Sequence, residues 1–287
     1  MIDMRNLHPP NNTSTLITSP SPPPPPHPIG MSMFTIHIER GNALRRLLLP
    51  IANLSNTAQI NCSIPCLSFV VSPRNNFIVV LRIFPAFFTS YQFNPNYAGN
   101  YTSFHAKLYL RLLHTNISNM FTDELSVTIY LNRFESTIPV RFYEPRSGYL
   151  QFSALLLARA RRIPMYPVDM GVFFAIRSDE FLKILTDLRV LSGEYFVIYV
   201  STTKALFKSL RREIAYNTRD DENMMVMGGV PTGGARQFFL ICPSPLHFFY
   251  YTASISKMVW FFIAAENHTR HFLSCCVNIH ASYLVCF

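Results

Sequence analysis

Cysteine is scarce in this sequence, with six among 287 residues. So few thiols cannot build the disulfide scaffold of a small secreted protein. The spacing of a zinc knuckle is also missing, because Cys62 and Cys66 are separated by three residues and Cys275 and Cys276 are adjacent. We therefore predict buried free thiols and no metal site.

The sequence also lacks the common signatures of enzymes. The glycine-rich stretch 228–234 has no Lys-Ser/Thr pair of a phosphate-binding loop, so we predict a flexible turn there. The carboxylates of Asp220, Asp221 and Glu222 have no histidine at a fixed spacing. A Gly-x-Ser-x-Gly string and a zinc-protease motif are both absent. These absences predict a protein that is not an enzyme and has no cofactor.

Targeting and membrane signals are weak. Residues 1–32 have no apolar stretch of a signal peptide, and their Pro/Ser/Thr run predicts a disordered tail. Residues 238–264 carry one formal charge, at Lys257, over a length that could span a bilayer. Because Pro243 and Pro245 interrupt this stretch, it is better interpreted as a strand, a short helix and a second strand. A membrane protein remains a minority alternative.

The overall composition indicates a globular protein with an anionic partner. Apolar residues make up 49% of the chain and charged residues 14%, which is enough for a substantial core. The length is sufficient for about two domains. The net charge of +9 favours a polyanion such as nucleic acid or an anionic membrane surface.

One amphipathic pattern occurs twice, 137 residues apart. In both copies a strand-like run precedes four apolar residues at positions i, i+3, i+4 and i+7, which predicts one apolar helix face. The proline at position 50 is unfavourable inside the first of these helices. The first copy has Leu44, Leu47, Leu48 and Ile51, and the second has Phe181, Ile184, Leu185 and Leu188.

A second pair of helices keeps the same spacing. Tyr109, Leu112 and Leu113 match Leu246, Phe249 and Tyr250. Because strand-like runs lie between these helices, each half is expected to be an α+β unit, a mostly antiparallel sheet with two helices on one face. The predicted domains are 33–145 and 168–275, joined by a connector at 146–167 and followed by a tail at 276–287.

Several short strings resemble the proliferating cell nuclear antigen (PCNA) family of eukaryotic DNA sliding clamps. The strings are GNALRRLL from residue 41, FYEP from residue 142, SDEFLKILTDL from residue 178 and LHFF from residue 246. The resemblance implies the DNA-clamp fold, with two similar domains that each carry two helices on the inner face. It also implies a homotrimeric ring in the nucleus that encircles double-stranded DNA. Such a ring is a processivity factor, which tethers DNA polymerase and other replication and repair proteins through short motifs.

The same resemblance assigns roles to individual residues. The implied DNA-binding residues are Arg45, Arg46, Arg111 and Lys183. The implied subunit interface is an edge strand with Val140, Arg141, Phe142 and Tyr143, facing a second edge at about 211–216. The implied partner-binding residues lie around an interdomain loop at 149–164 and are Phe77, Val79, Leu155, Leu156, Leu157, Ile163 and Pro164.

The chain departs from the family in its charge. Members of the family are acidic overall, whereas this chain is basic, and Tyr251 and Thr186 occupy positions where the family has basic residues. A uniformly basic ring would adhere to DNA rather than slide along it. The alternative is therefore a divergent relative that binds DNA or partners without forming a functional ring.

Overall fold

Antiparallel strands dominate the computed structural model, which describes residues 32–74, 77–119, 124–132, 135–158, 163, 167–191, 193–217, 225–229, 237–265, 270–277 and 279–287. The first half of this part contains β1 (Phe34–Ile38), α1 (Gly41–Leu54), β2 (Ala58–Ser63), β3 (Cys66–Arg74), β4 (Phe77–Ile83), β5 (Ser90–Phe93), β6 (Ser103–Leu108), α2 (Leu110–Ser118), β7 (Ser126–Leu131), β8 (Thr137–Glu144) and β9 (Tyr149–Ala158). The second half contains β10 (Val168–Arg177), α3 (Ser178–Asp187), β11 (Phe196–Val200), β12 (Lys204–Lys208), β13 (Glu213–Asn217), β14 (Met225–Gly228), β15 (Gln237–Ile241), α4 (Leu246–Ser254), β16 (Met258–Ala264), β17 (His271–Val277) and β18 (Ala281–Cys286).

The strands form one sheet of fourteen strands and one of four. The order in the large sheet is β14-β10-β16-β17-β18-β4-β3-β2-β6-β9-β8-β7-β1-β5, and the order in the small sheet is β13-β12-β11-β15. Both predicted halves contribute to the large sheet. Residues 32–287 form one compact unit.

The predicted DNA-clamp fold with two similar domains is therefore wrong. Strand β18 joins the two halves, because it pairs with β17 on one side and with β4 on the other, where Tyr283 lies opposite Leu81. This strand falls in the segment predicted as a tail at 276–287. Its residues alternate between two buried faces, so it completes the sheet instead of leaving the body of the protein.

Each of the four predicted helical segments is a helix, and the helices pack on one face of the sheets. Helix α1 contacts α2 and α4, and α3 contacts α4. The apolar faces found in the sequence are the buried ones, for example Leu44, Leu48 and Ile51 in α1. Helix α1 also continues through Pro50, which is itself buried, and ends at Leu54. The helix faces and the inward strand residues share one large apolar core.

The apolar stretch 238–264 folds as predicted from its prolines, into β15, α4 and β16. A bilayer-spanning helix would need a longer apolar segment than any helix has in the part of the chain described. Buried aromatic residues hold this region to the first half of the chain. Phe77 of β4 lies 6.5 Å from Phe248 and 6.3 Å from Phe249 of α4, measured between ring centroids.

A second, smaller apolar cluster lies on the other face of the large sheet. Its buried members are Val70, Ile78, Val80, Phe262, Ala264, Phe272, Leu284 and Cys286. These residues alternate along their strands with residues of the main core, since successive strand side chains point to opposite faces. The central strands are therefore covered by apolar side chains on both faces.

Candidate nucleic-acid interface

The outward surface of the helical layer has few carboxylates. Helices α1, α2 and α4 contain no Asp or Glu, whereas α3 contains Asp179, Glu180 and Asp187. Most apolar residues of these helices are turned toward the sheets, and the outward positions hold polar, aromatic and basic side chains together with Leu112, which is 46% exposed. The absence of carboxylates from α1, α2 and α4 reduces repulsion of phosphate and favours contact with nucleic acid, although Glu39 and Glu124 line the same cavity as Arg46.

Three of the predicted DNA-binding residues lie on α1 and α2. Arg46 and Arg111 are exposed, and Arg45 is half-buried. Arg111 Nη1 donates to Asn56 Oδ1 at 3.5 Å, and no carboxylate among the described residues pairs with this guanidinium. The two helices pack against each other. The structure therefore brings these three arginines to one end of the helical layer.

The fourth predicted DNA-binding residue has an internal partner. Lys183 Nζ lies 2.5 Å from Glu180 Oε1, and this hydrogen bond raises the pKa of Lys183 above its ordinary value. The neighbouring carboxylate of Asp179 receives two hydrogen bonds from Arg177, which lower the pKa of Asp179. Helix α3 thus presents ion pairs, and its net field on a phosphate is much weaker than that of α1.

His114 lies on α2, near the charge of Arg45 on α1. Its side chain is half-buried, and Nε2 is buried without a hydrogen-bond partner. Burial lowers the pKa of His114, and the positive charge of Arg45 lowers it further. The imidazole is therefore neutral at physiological pH and adds no charge to this surface.

Two of the residues that were compared with basic positions of the clamp family connect the helices. Tyr251 Oη on α4 donates to the backbone oxygen of Arg46 on α1 at 3.2 Å. The hydroxyl groups of Thr186 on α3 and Tyr250 on α4 lie 3.0 Å apart. These contacts link α1, α4 and α3 across the layer and contribute to its rigidity.

The predicted partner-binding residues are not brought together. Phe77 and Val79 of β4 and Leu155 of β9 are buried in the main core, and Leu157 packs at its margin, whereas Leu156 is 61% exposed. Ile163 packs against the second cluster on the opposite face, and Pro164 lies outside the described residues.

Two wrong expectations explain why the predicted partner-binding residues lie apart. Residues 149–158 were expected in a loop, but they form β9. In β4, the side chains that face Ile163's cluster are Ile78 and Val80, one position away from the expected residues. A shift of one residue moves a strand side chain to the other face of the sheet.

The strand expected to form a subunit edge is an interior strand. Val140, Arg141, Phe142 and Tyr143 lie in β8, which pairs with β7 on one side and with β9 on the other. The expectation of a free edge there is therefore wrong. The segment at about 211–216 does overlap an edge, because β13 is the last strand of the four-stranded sheet.

An unexpected edge lies on β9. This strand pairs with β8 along its length but with β6 only at Leu157 and Ala158, so 149–156 has no second neighbouring strand among the described residues. Several large side chains on this segment are exposed: Tyr149, Leu150, Phe152 and Leu156. The alternation of β9 was visible in the sequence, but its position in the sheet depends on long-range pairing.

Comparison with models of protein families gives no match, and comparison with curated proteins gives none either.

Proposed function

We propose that this chain binds double-stranded DNA through its helical layer and acts as a processivity factor that holds a DNA polymerase on its template. The observation that carries this proposal is that α1 and α2 carry Arg45, Arg46 and Arg111 and contain no Asp or Glu. The resemblance of the short strings to sliding clamps supports the replication and repair role. That role would place the protein in the nucleus.

The proposed contact is to phosphates and carries no sequence information. Arginine and lysine bind phosphate oxygens of any sequence, and base edges are read only by side chains that enter a groove. A layer of packed helices linked by Tyr250 and Tyr251 presents a broad surface instead of one projecting recognition helix. Such binding is strongly salt-dependent and permits sliding along the duplex.

We infer that copies of the chain associate through two free strand edges. Strand β9 offers the segment 149–156, and β13 offers the outer edge of the small sheet. Unpaired strand edges accept a strand of another chain, and exposed apolar residues on β9 strengthen this tendency. Pairing of two different edges is head-to-tail, which closes a ring when the rotation between copies permits it. The proposed ring is a homotrimer.

Short motifs of partner proteins are proposed to dock on the opposite face, near the second apolar cluster. Ile78 and Val80 are buried members of this cluster, and the partly buried Ile163 and Val168 at its margin are the residues that a motif can reach. This assignment replaces Phe77 and Val79, whose side chains are enclosed in the main core. The polymerase and other clamp-binding proteins are the expected partners.

Retention on circular DNA tests the proposal. Purified protein is bound to a nicked circular plasmid and separated from free protein by gel filtration, before and after the plasmid is linearised. Encircling predicts a complex that survives on circles and is lost when the ends are free. Equal retention on both forms would support the alternative, a DNA-binding protein without a ring. Absence of binding to either form would refute the proposal.

The proposed assembly has a separate test. Phe152→Lys adds a charge to the free part of β9 and should lower the molar mass measured by light scattering, because lysine disfavours edge pairing. Ile279→Lys is the matched control, since Ile279 is 82% exposed in the turn between β17 and β18. An identical molar mass for both variants would exclude β9 from the interface.

A further inference from the structure

Ser103, His105 and Asn61 form a chain of hydrogen bonds on the face of the large sheet opposite the helices. Ser103 Oγ lies 3.0 Å from His105 Nε2, and His105 Nδ1 lies 2.8 Å from Asn61 Oδ1. Residues 103 and 105 are alternate residues of β6, so their side chains share one face. Asn61 is directly opposite His105 in the pairing of β2 with β6. Paired backbone therefore fixes all three groups.

The hydrogen bonds determine the role of each ring nitrogen. An amide oxygen only accepts, so Nδ1 of His105 carries the hydrogen that is donated to Asn61 Oδ1. Nε2 of the neutral ring is then an acceptor, and the Ser103 hydroxyl donates to it. A hydroxyl, a base and a group that orients the base are the three parts of an activated nucleophile.

A second hydroxyl–imidazole pair in the molecule lacks the third part. His37 Nδ1 lies 2.9 Å from Thr128 Oγ1, but the structure gives the other ring nitrogen no hydrogen-bond partner among the residues it describes. The ring of His37 is therefore free to adopt either tautomer. Asn61 is what distinguishes the Ser103 site from this pair.

The Ser103 site is also open to small molecules. The His105 side chain is exposed, and Ser103 is partly exposed. A small acyl group can therefore approach the hydroxyl from solvent.

We propose that Ser103 is a nucleophile for activated acyl esters, with His105 as the general base and Asn61 as a positioning residue. Ser103 Oγ forms a bond to the acyl carbon, the bond from that carbon to the leaving oxygen breaks, and the hydroxyl proton moves to His105 Nε2. The imidazolium then releases the proton to the leaving oxygen or to solvent. Water, activated by the neutral ring, attacks the acyl-serine and releases a carboxylic acid, which regenerates the hydroxyl.

The chemistry restricts the substrate class. A positioned general base contributes about 10²–10⁴-fold to such a reaction. A pocket of oxyanion donors would contribute about 10²–10³-fold more, and a site on an open sheet surface does not enclose the substrate in this way. The activity is therefore confined to esters with a good leaving group, and amides do not react.

The test uses the full chain with p-nitrophenyl acetate at pH 8, where imidazole is neutral. Release of p-nitrophenolate is followed by absorbance, and the acetylated peptide is identified by mass spectrometry. Ser103→Ala should abolish acetylation of this peptide, and His105→Gln should slow it about 100-fold. Ser63→Ala is the matched control, because Ser63 lies opposite Ser103 but its hydroxyl donates to the backbone oxygen of Cys66. Acetylation elsewhere only, or equal rates for all variants, would overturn the proposal.

The pH–rate profile of acetylation tests the role of Asn61 separately. Asn61→Asp places a carboxylate beside Nδ1, which stabilises the imidazolium and should move the acid limb of the pH–rate profile to higher pH. Asn61→Leu removes the acceptor at similar volume and should slow acetylation without this shift. An unchanged profile in Asn61→Asp would remove Asn61 from the mechanism. All variants lie on the surface of the sheet, so equal thermal unfolding profiles are expected.

Discussion

Removal of Arg46 should change the salt dependence of DNA binding more than removal of Lys183. Each cation that neutralises a phosphate releases counterion, and the slope of log K against log salt falls by about 0.9 for each such contact. Arg46 is exposed on α1 and forms no ion pair in the part of the chain described, so it can supply a full contact. Lys183 must first separate from Glu180, which lies 2.5 Å away.

The expected effect of each substitution follows from the slope of log K against log salt. One phosphate contact is worth about 3.5-fold in affinity between 50 and 200 mM salt. Arg46→Ala and Arg111→Ala should each reduce the slope by about 0.9, and Lys183→Ala should reduce it by clearly less. Glu180→Gln should steepen the slope, because it releases Lys183 while keeping an acceptor for the Tyr216 hydroxyl.

Fluorescence anisotropy of a labelled duplex, titrated at several NaCl concentrations, measures these slopes. Arg82→Ala is the matched control, because Arg82 is an exposed arginine on the sheet face opposite the helices. Its removal lowers the net charge equally but should leave the slope nearly unchanged. Equal effects of Arg82→Ala and Arg46→Ala would refute the helical interface and leave only non-specific attraction by net charge.

Three further predictions concern stability and thiol chemistry. His271 is buried with Nδ1 unpartnered, and burial lowers the pKa of its imidazole. As the pH falls, the unfolded chain therefore binds a proton at this residue before the folded protein does. The free energy of unfolding should fall as pH drops below about 6.5. Urea titrations from pH 8 to pH 5 should show this fall in the wild type and a weaker one in His271→Phe. Tyr283→Phe removes the buried hydrogen bond, 2.6 Å long, from Tyr283 Oη to the backbone oxygen of Leu47. This loss should reduce the free energy of unfolding by about 1 kcal/mol and lower Tm by about 2–4 °C in a thermal melt. An unchanged Tm would mean that the hydrogen bond contributes no net stability. Burial raises the pKa of the Cys62 and Cys275 thiols to about 12, whereas Cys276 is exposed. A disulfide reagent at pH 8 should therefore modify Cys276 first. Rapid modification of the Cys275 thiol in the folded protein would contradict the packing of β17.

Local patterns in the sequence were sufficient to locate the helices. The i, i+3, i+4, i+7 spacing of Leu44 to Ile51 predicted the buried face of α1, because burial of one helix stripe is a property of neighbouring residues. Helix α2 begins at Leu110, one residue later than the match of the two halves implies. The proline at position 50 was expected to be unfavourable inside α1, but the helix continues through it. Tertiary packing outweighs the local preference there.

The sheet could not be predicted from local patterns. An alternating run predicts a strand but does not identify its neighbour, and the neighbours of β18 and β9 lie far away in the sequence. The expectation of two separate halves left 276–287 without a partner, although its nearly continuous apolar run suits a strand that is buried on both faces. The same limit applies to Asn61, His105 and Ser103. The spacing of His105 and Ser103 was visible, but the position of Asn61 depends on the register of β2 with β6.

The distribution of ion pairs makes the proposed DNA surface asymmetric. Arginines with no anionic partner in the described part of the chain lie on α1 and α2, whereas Lys183 and Arg177 at the other end are neutralised by Glu180 and Asp179. Tyr251 connects the two ends through α1 and α4, so both are held to the same rigid layer. DNA should therefore contact the α1–α2 end of each copy most strongly and pass the α3–α4 end with little attraction. A few strong contacts per copy, instead of a continuous basic track, would let a basic protein bind duplex DNA and still move along it, because each step breaks only those few contacts.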